Sequence, residues 1–321
     1  MTIHEEQVTE RLCLLAPGQL AWLNEELPPL GPQDVLVRTS ATAISIGSEL
    51  PVYRGDARTS DAFQYPRKMG YESVGAVVAR GDAVRRVRPG ERVVCFYGQQ
   101  TYAVVPQDRL IVVPQGISDA LAILSILTCD AAKGVRKLAP RPEETALITG
   151  AGAIGLLTLF ILRAYGVSQI DVVELVPERH SLARLLGARH VWRPQDMPAE
   201  TSAYPVAFEC SSRDQAFALL QQKVQPQGRI CVTADGNVEP LTLTPEFHEK
   251  ELQIVGSSDG WDYQQHAAWY FHILQQHPTG LENLFEVRIT RHELISTFER
   301  LAAGVIHPVK VLISYIPSGV P

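Results

Sequence analysis

The chain has 321 residues, 45% hydrophobic and 20% charged, which is enough apolar material for one or two folded domains and excludes a disordered or fibrous chain. Its 29 Lys and Arg against 35 Asp and Glu give a net charge of −6, without the basic excess that a nucleic-acid binder carries. The five cysteines, Cys13, Cys95, Cys129, Cys210 and Cys231, form no Cys-x-x-Cys pair, which argues against a disulfide framework and for a reducing cytoplasm.

At the N-terminus Glu5 and Glu6 stand where a signal peptide is basic and then apolar. The longest apolar runs, 120–127 and 155–162, are too short to span a bilayer, so no membrane partner is expected. From Leu12 to about Pro114, short apolar or alternating runs such as Asp34-Val35-Leu36-Val37-Arg38 and Arg92-Val93-Val94-Cys95-Phe96 are broken by Gly, Pro and Asp. This part is predicted to be mostly β. After Ala120, apolar strands alternate with stretches of helical period, the pattern of a βαβ series with a parallel sheet. Thr145-Ala146-Leu147-Ile148-Thr149 is followed by Gly150-Ala151-Gly152-Ala153-Ile154-Gly155 and a helix that stops at Gly166. Gln169-Ile170-Asp171-Val172-Val173 then ends on Glu174. Val206-Ala207-Phe208, a helix over 215–224 and Arg229-Ile230-Cys231-Val232-Thr233 continue the series. Helices over Tyr263–Gln276 and 292–303 and a strand Val309-Lys310-Val311-Leu312-Ile313 close the chain.

The Gly-x-Gly-x-x-Gly run has its strand before it and its helix after it. Gly150 suits a tight turn, Gly152 lets backbone approach a pyrophosphate, and Gly155 lets the helix pack close on the strand. The pyrophosphate would rest on the helix N-terminus, opened by Ala153 and Ile154, where unpaired N–H groups favour an anion. Glu174 stands where an acidic side chain accepts both hydroxyls of an adenosine ribose and would repel a 2′-phosphate. NAD is therefore expected over NADP.

Further motifs follow in order: Gly70-Tyr71-Glu72-Ser73-Val74-Gly75 with Val77-Val78-Ala79-Arg80-Gly81, Pro89-Gly90-Glu91-Arg92-Val93, Lys250-Glu251-Leu252 with Val255-Gly256-Ser257-Ser258, and His307-Pro308-Val309-Lys310-Val311. On these the chain resembles a medium-chain dehydrogenase/reductase over nearly its whole length. The resemblance implies an α/β protein with a GroES-like β-rich catalytic domain at 1–118, a doubly wound parallel Rossmann domain at 119–260, and a return segment at 261–321 that completes the catalytic domain. It also implies pairing through Rossmann sheet edges, with the apolar stretch 284–289 as the strand for a homodimer.

The departures from that family concern zinc. Zinc alcohol dehydrogenases draw their first ligand from a Cys-Gly-Ser/Thr-Asp stretch, where this chain has Ile46-Gly47-Ser48-Glu49. The His of their Gly-His-Glu is Tyr71 here, and the third ligand position falls near Ser125, with Cys129 close by. A catalytic zinc takes about three protein ligands, so none is expected. The four-cysteine lobe of structural zinc is also missing, because only Cys95 lies between Arg92 and Val105. Ala43-Ile44-Ser45-Ile46-Gly47-Ser48-Glu49 with Tyr65-Pro66 and Gly70-Tyr71-Glu72 most resembles a zinc-lacking branch that includes hydroxyethyl bacteriochlorophyllide and polyol dehydrogenases.

A metal-free site must stabilise the substrate oxygen and move its proton with hydrogen bonds. Ser48 occupies the family's relay hydroxyl position or caps a helix, and Tyr71 supplies a phenol or a ring that fills the vacated space. By the same resemblance Glu49 stands where relatives keep an acidic residue, and Glu72, the family's glutamate behind the metal site, orients neighbours, pairs with a cation or is a structural carboxylate. Lys310 matches the family's basic residue near the cofactor, with a solvated strand charge as the alternative. His266, His272 and His277 share one helical stretch at spacings that put no pair on one face. The expected activity is zinc-independent, NAD(P)-dependent interconversion of a secondary alcohol and a ketone. The alternatives are a quinone or enoyl reductase of the same superfamily and a catalytically silent nucleotide-binding relative.

Overall fold

The structure, a computed structural model, describes residues 8–56, 64–198, 204–234 and 239–315, so that Glu5 and Glu6 lie outside it. Two compact units are present, one made of Met1–Leu124 with Phe285–Pro321 and the other of Ser125–Leu284.

The first unit is β-rich. Its elements are β1 (Val8–Ala16), β2 (Gln19–Glu26), β3 (Asp34–Ile44), α1 (Ile46–Arg54), β4 (Arg67–Lys68), β5 (Ser73–Arg80), β6 (Arg92–Cys95), β7 (Tyr102–Pro106), β8 (Ile111–Val112) and α2 (Asp119–Ile123). Alternation explains the strands: Val35 and Val37 of β3 point inward to meet Val77, Val93 and Val105 in one core, while Leu36 between them faces the other way.

The second unit opens with α3 (Ser125–Leu138) and continues through β9 (Ala146–Thr149), α4 (Ala153–Ala164), β10 (Ile170–Val173), α5 (Glu178–Leu185), β11 (His190–Trp192), β12 (Tyr204–Glu209), α6 (Asp214–Lys223), β13 (Val224–Val232), α7 (Pro245–Glu249), β14 (Gln253–Gly256) and α8 (Tyr263–Gln276). Its six strands are parallel in the order β11-β10-β9-β12-β13-β14. Strands β9 and β10 are buried along their whole length, as a sheet covered on both faces requires. The order reverses between β9 and β12, and there a doubly wound sheet opens its ligand crevice.

The chain then returns to the first unit with β15 (Val287–Thr290), α9 (Leu294–Ala302) and β16 (Val311–Ser314). β16 pairs antiparallel with the Ala41–Ile44 end of β3 and parallel with β15, giving a sheet β15-β16-β3-β5-β6-β8 to which β7 adds along β3. In α9, Leu294, Phe298 and Leu301 recur at i, i+4 and i+7 and bury one face against Leu12, Leu14, Ile44, Val311 and Ile313.

Three expectations need correction. The return begins at Phe285, not 261, because α8 is tied to α3: His266 Nε2 lies 3.0 Å from Thr128 Oγ1, and the Cys129 thiol donates to the Trp261 carbonyl at 3.1 Å. The first boundary falls after Leu124, since α2 packs on β3 and β5 and its N-cap region is held by Ser40 donating to Asp119 at 2.7 Å. Residues 287–290 form β15, which its partner β16 places in the β-rich sheet, so this stretch is not an edge of the parallel sheet. Among the described residues no helix is long and apolar enough to cross a membrane.

Candidate active site

The glycine run leaves β9 as the sequence suggests. Gly150 takes φ +88°, open only to glycine at low cost, and its N–H donates to the Val173 carbonyl at 2.8 Å. A Cβ on Gly155 would stand 1.9 Å from the Gly150 carbonyl oxygen, so α4 can pack this close only with glycine there. Gly152 is the N-cap of α4, without a side-chain cap, and a Cβ on it would meet nothing within 4 Å. That open backbone and the uncapped N–H groups of the first turn at Ala153 and Ile154 fit a dinucleotide pyrophosphate.

Glu174 follows β10 and is 6% exposed. Its two carboxylate oxygens accept from Ala151 N at 2.5 Å and Val176 N at 2.7 Å, which braces the glycine loop and leaves acceptor capacity on each oxygen. The expected ribose acceptor thus stands beside the loop it would serve.

In the first unit, the N-cap Ser45 starts α1 directly after β3, which places Ser48 in the first helical turn. Ser48 is inside the helix, its hydroxyl 3.3 Å from the Ser45 carbonyl and 3.3 Å from the Tyr71 hydroxyl. The two hydroxyls that the sequence singles out therefore meet across 23 residues of chain. Burial, with Glu72 adding to it, holds the Tyr71 phenol well above the usual range, against the hydroxyls of Ser45 and Ser48. Ser45 is the member of this group that sequence reasoning missed, and its signal was its place at a strand end before a Gly-Ser-Glu helix start.

Glu72 and Lys310 form an ion pair that is 0% exposed on both sides, the ammonium 2.7 and 3.0 Å from the two carboxylate oxygens. Lys310 is thus not at a surface that a cofactor or solvent reaches, which corrects both readings of it. Lys310 lies directly before β16, between the buried Val309 and Val311, and a buried ammonium needs a carboxylate. Glu49 is also buried, its Oε1 accepting from Ser45 N at 2.8 Å. Burial, then the nearby Glu72, push its carboxyl up to about 8, against the peptide N–H groups of Ser45 and Gly70 and the Lys310 ammonium.

These donors do not suit zinc, which takes deprotonated sulfur, nitrogen or carboxylate ligands. Ile46 has no donor atom, the Tyr71 phenol keeps its proton, and Glu72 is taken by Lys310. In the second unit Ser125 offers a buried hydroxyl, and burial pushes the Cys129 thiol up to about 12. Among the described residues no three His, Cys, Asp or Glu side chains are grouped to hold a metal ion. His266 is enclosed by Trp269 and Tyr270, and burial lowers its ring to about 4, so it serves α8 packing.

The family pattern described as the alcohol dehydrogenase GroES-like domain matches residues 31–115, and that of the zinc-binding dehydrogenases matches 153–270. The chain is a medium-chain dehydrogenase/reductase. As such it is an NAD(P)-dependent oxidoreductase. This dehydrogenase/reductase is 23% identical over 328 residues to an L-threonine 3-dehydrogenase of Chelativorans sp. (strain BNC1), covering 90% of this chain and 94% of that one. Among solved structures, it shares the fold of 2R,3R-butanediol dehydrogenase from Bacillus subtilis (21% identity, TM-score 0.83, 96% of this chain and 100% of that one). It shares it also with a protein described as a short chain alcohol dehydrogenase from Escherichia coli CFT073 complexed with NADH (22% identity, TM-score 0.81, 96% and 100%).

Proposed function

We propose that this dehydrogenase/reductase interconverts a secondary alcohol and a ketone by hydride transfer, uses NAD, and works without zinc. The observation that carries the reading is the Ser48–Tyr71 hydroxyl pair, joined at the positions where zinc-dependent members of the family keep a relay hydroxyl and a ligand histidine. A bound nicotinamide supplies the hydride acceptor or donor. Ser48 and Tyr71 hold the substrate oxygen with two hydrogen bonds. In oxidation, as hydride leaves the carbon and the C–O bond becomes a carbonyl, the oxygen's proton is relayed through this pair to water, each hydroxyl giving up its own proton as it takes one. Glu72 is tied to Lys310 and stabilises the fold next to Tyr71. The names of the relatives, which act on L-threonine and 2R,3R-butanediol, support a small hydroxylated substrate. The five free thiols, four of them buried, support a reducing compartment, the cytoplasm.

Two outcomes test the cofactor and metal parts. NADH is expected to bind several-fold more tightly than NADPH in fluorescence titrations, because a 2′-phosphate meets the Glu174 carboxylate. Glu174→Ser should narrow that preference, and tighter NADPH binding by the wild type would overturn it. Elemental analysis after purification without chelator is expected to find no stoichiometric zinc. About one zinc per chain, lost together with activity on chelation, would show that other residues supply the ligands. Turnover of enones with no turnover of alcohols would replace this reading by that of a quinone or enoyl reductase.

A further inference from the structure

The reading above uses Ser48 and Tyr71 and leaves Glu49 without a task. Glu49 is 4% exposed. One carboxyl oxygen accepts from Ser45 N, while the other, Oε2, is enclosed without a well-formed hydrogen bond, the Gly70 N–H being the smallest influence on the carboxyl. Elsewhere among the described residues, the buried carboxylates have a donor on each oxygen. Glu174 takes Ala151 N and Val176 N on its two oxygens, and Glu209 takes Ser211 N with the Ser211 hydroxyl on one oxygen and Ser212 N on the other. A buried acid with an empty oxygen has the surroundings of a neutral carboxyl, not of a carboxylate.

The charges around Glu49 point the same way. Lys310 is committed to both oxygens of Glu72, so that pair is neutral as a whole. The other titratable neighbours, Tyr71 and Tyr315, are phenols whose ionisation Glu49 opposes. Among the described groups that act on Glu49, Lys310 is the one cation, and it is held by Glu72. The same carboxyl binds the N-cap of the helix turn that carries Ser48 and is also favoured by the Gly70 N–H, next to Tyr71.

We propose that Glu49 is a positioning residue of the dehydrogenase site, held protonated so that the one negative charge this buried cluster takes up is the charge that develops on the substrate oxygen. The proposal rests on the reading that Ser48 and Tyr71 hold that oxygen. Ionised, Glu49 opposes the developing alkoxide; neutral, it does not.

Glu49→Gln tests it, since Gln keeps the shape of the protonated acid and cannot titrate. For alcohol oxidation, the ratio of wild-type to variant kcat/KM is expected to fall by about tenfold between pH 7 and pH 9.5 as Glu49 loses its proton. A ratio that stays flat overturns the proposal. Thermal unfolding gives a readout that does not depend on turnover. The unfolded carboxyl ionises near 4.5 and the folded one near 8, so between these values the folded state holds the extra proton and stability falls as pH rises. The variant lacks that loss: its Tm advantage over the wild type should grow from about pH 4.5 to about pH 8 and then stay constant. A pH-independent difference overturns the proposal. A growing difference in a protein that oxidises no alcohol supports the proton on Glu49 and overturns the dehydrogenase reading. If the variant does not fold, infrared difference spectra of the wild type decide. A protonated-carboxyl band that survives above pH 6 and vanishes near pH 8 supports the proposal, and loss of every such band by pH 6 overturns it.

Discussion

Replacing Lys310 by Met should destabilise the protein by about 3–5 kcal/mol, the cost of leaving one partner of a fully buried ion pair without its counter-charge. Both side chains are wholly enclosed, so water cannot solvate the Glu72 carboxylate once the ammonium is gone. The Met side chain fills most of the lysine's volume, so the loss is electrostatic and leaves little cavity. The double change Lys310→Met with Glu72→Leu should restore most of the stability, because two apolar groups of similar size replace the pair without an orphaned charge. Urea unfolding midpoints of the wild type, the single and the double variant measure this. A single variant within about 1 kcal/mol of the wild type would mean that Glu72 finds another donor or reaches solvent.

Ser48→Ala should lower turnover by a factor on the order of 10²–10³ while NADH affinity stays unchanged, since it removes one positioned donor from a water-poor site. Little stability is at stake. Ser48 lies in the first turn of α1, where Ala has the better helix propensity, and its weak bond to the Ser45 carbonyl is 3.3 Å long. Tyr71→Phe separates the two roles of that residue, because the ring remains and only the hydroxyl goes. A variant as stable as the wild type with most of its turnover lost makes the phenol a chemical group. Full activity makes it a filler and leaves Ser48 alone with the oxygen. Single-turnover hydride transfer, followed by nicotinamide absorbance, keeps product release out of the comparison.

What was legible in the sequence was local. The Gly150 to Gly155 run, its flanking strand and helix, and Glu174 at the end of the next strand lie within one βαβ unit, and periodicity with turn chemistry specifies such a unit directly. The Ser48–Tyr71 meeting was accessible through the family resemblance, which aligned both residues to one site. The partner of Lys310 was not accessible, because Glu72 lies 238 residues away and only the pairing of β16 with β3 brings the closing strand to it. The return point was misplaced for a related reason. α8 has an apolar stripe that does not name the unit that covers it, and its attachment to α3 through Thr128 and Cys129 leaves no mark in its own sequence. β15 reads as an apolar strand in isolation, and nothing in Val287-Arg288-Ile289-Thr290 states which sheet it joins.

The discontinuity of the β-rich unit governs the order in which a growing chain can complete itself. Ser125–Leu284 is one uninterrupted stretch, and every strand of the parallel sheet has emerged before β15 and β16 exist. Until residues 311–314 leave the ribosome, the Ala41–Ile44 edge of β3 has no neighbour on that side, and Glu72 waits without Lys310. The middle of the gene product therefore matures before its beginning does, and the nascent N-terminal strands carry an open, adhesive edge for most of synthesis. A chain that ends short of residue 311 leaves that edge bare, an edge on which another chain's strand can pair.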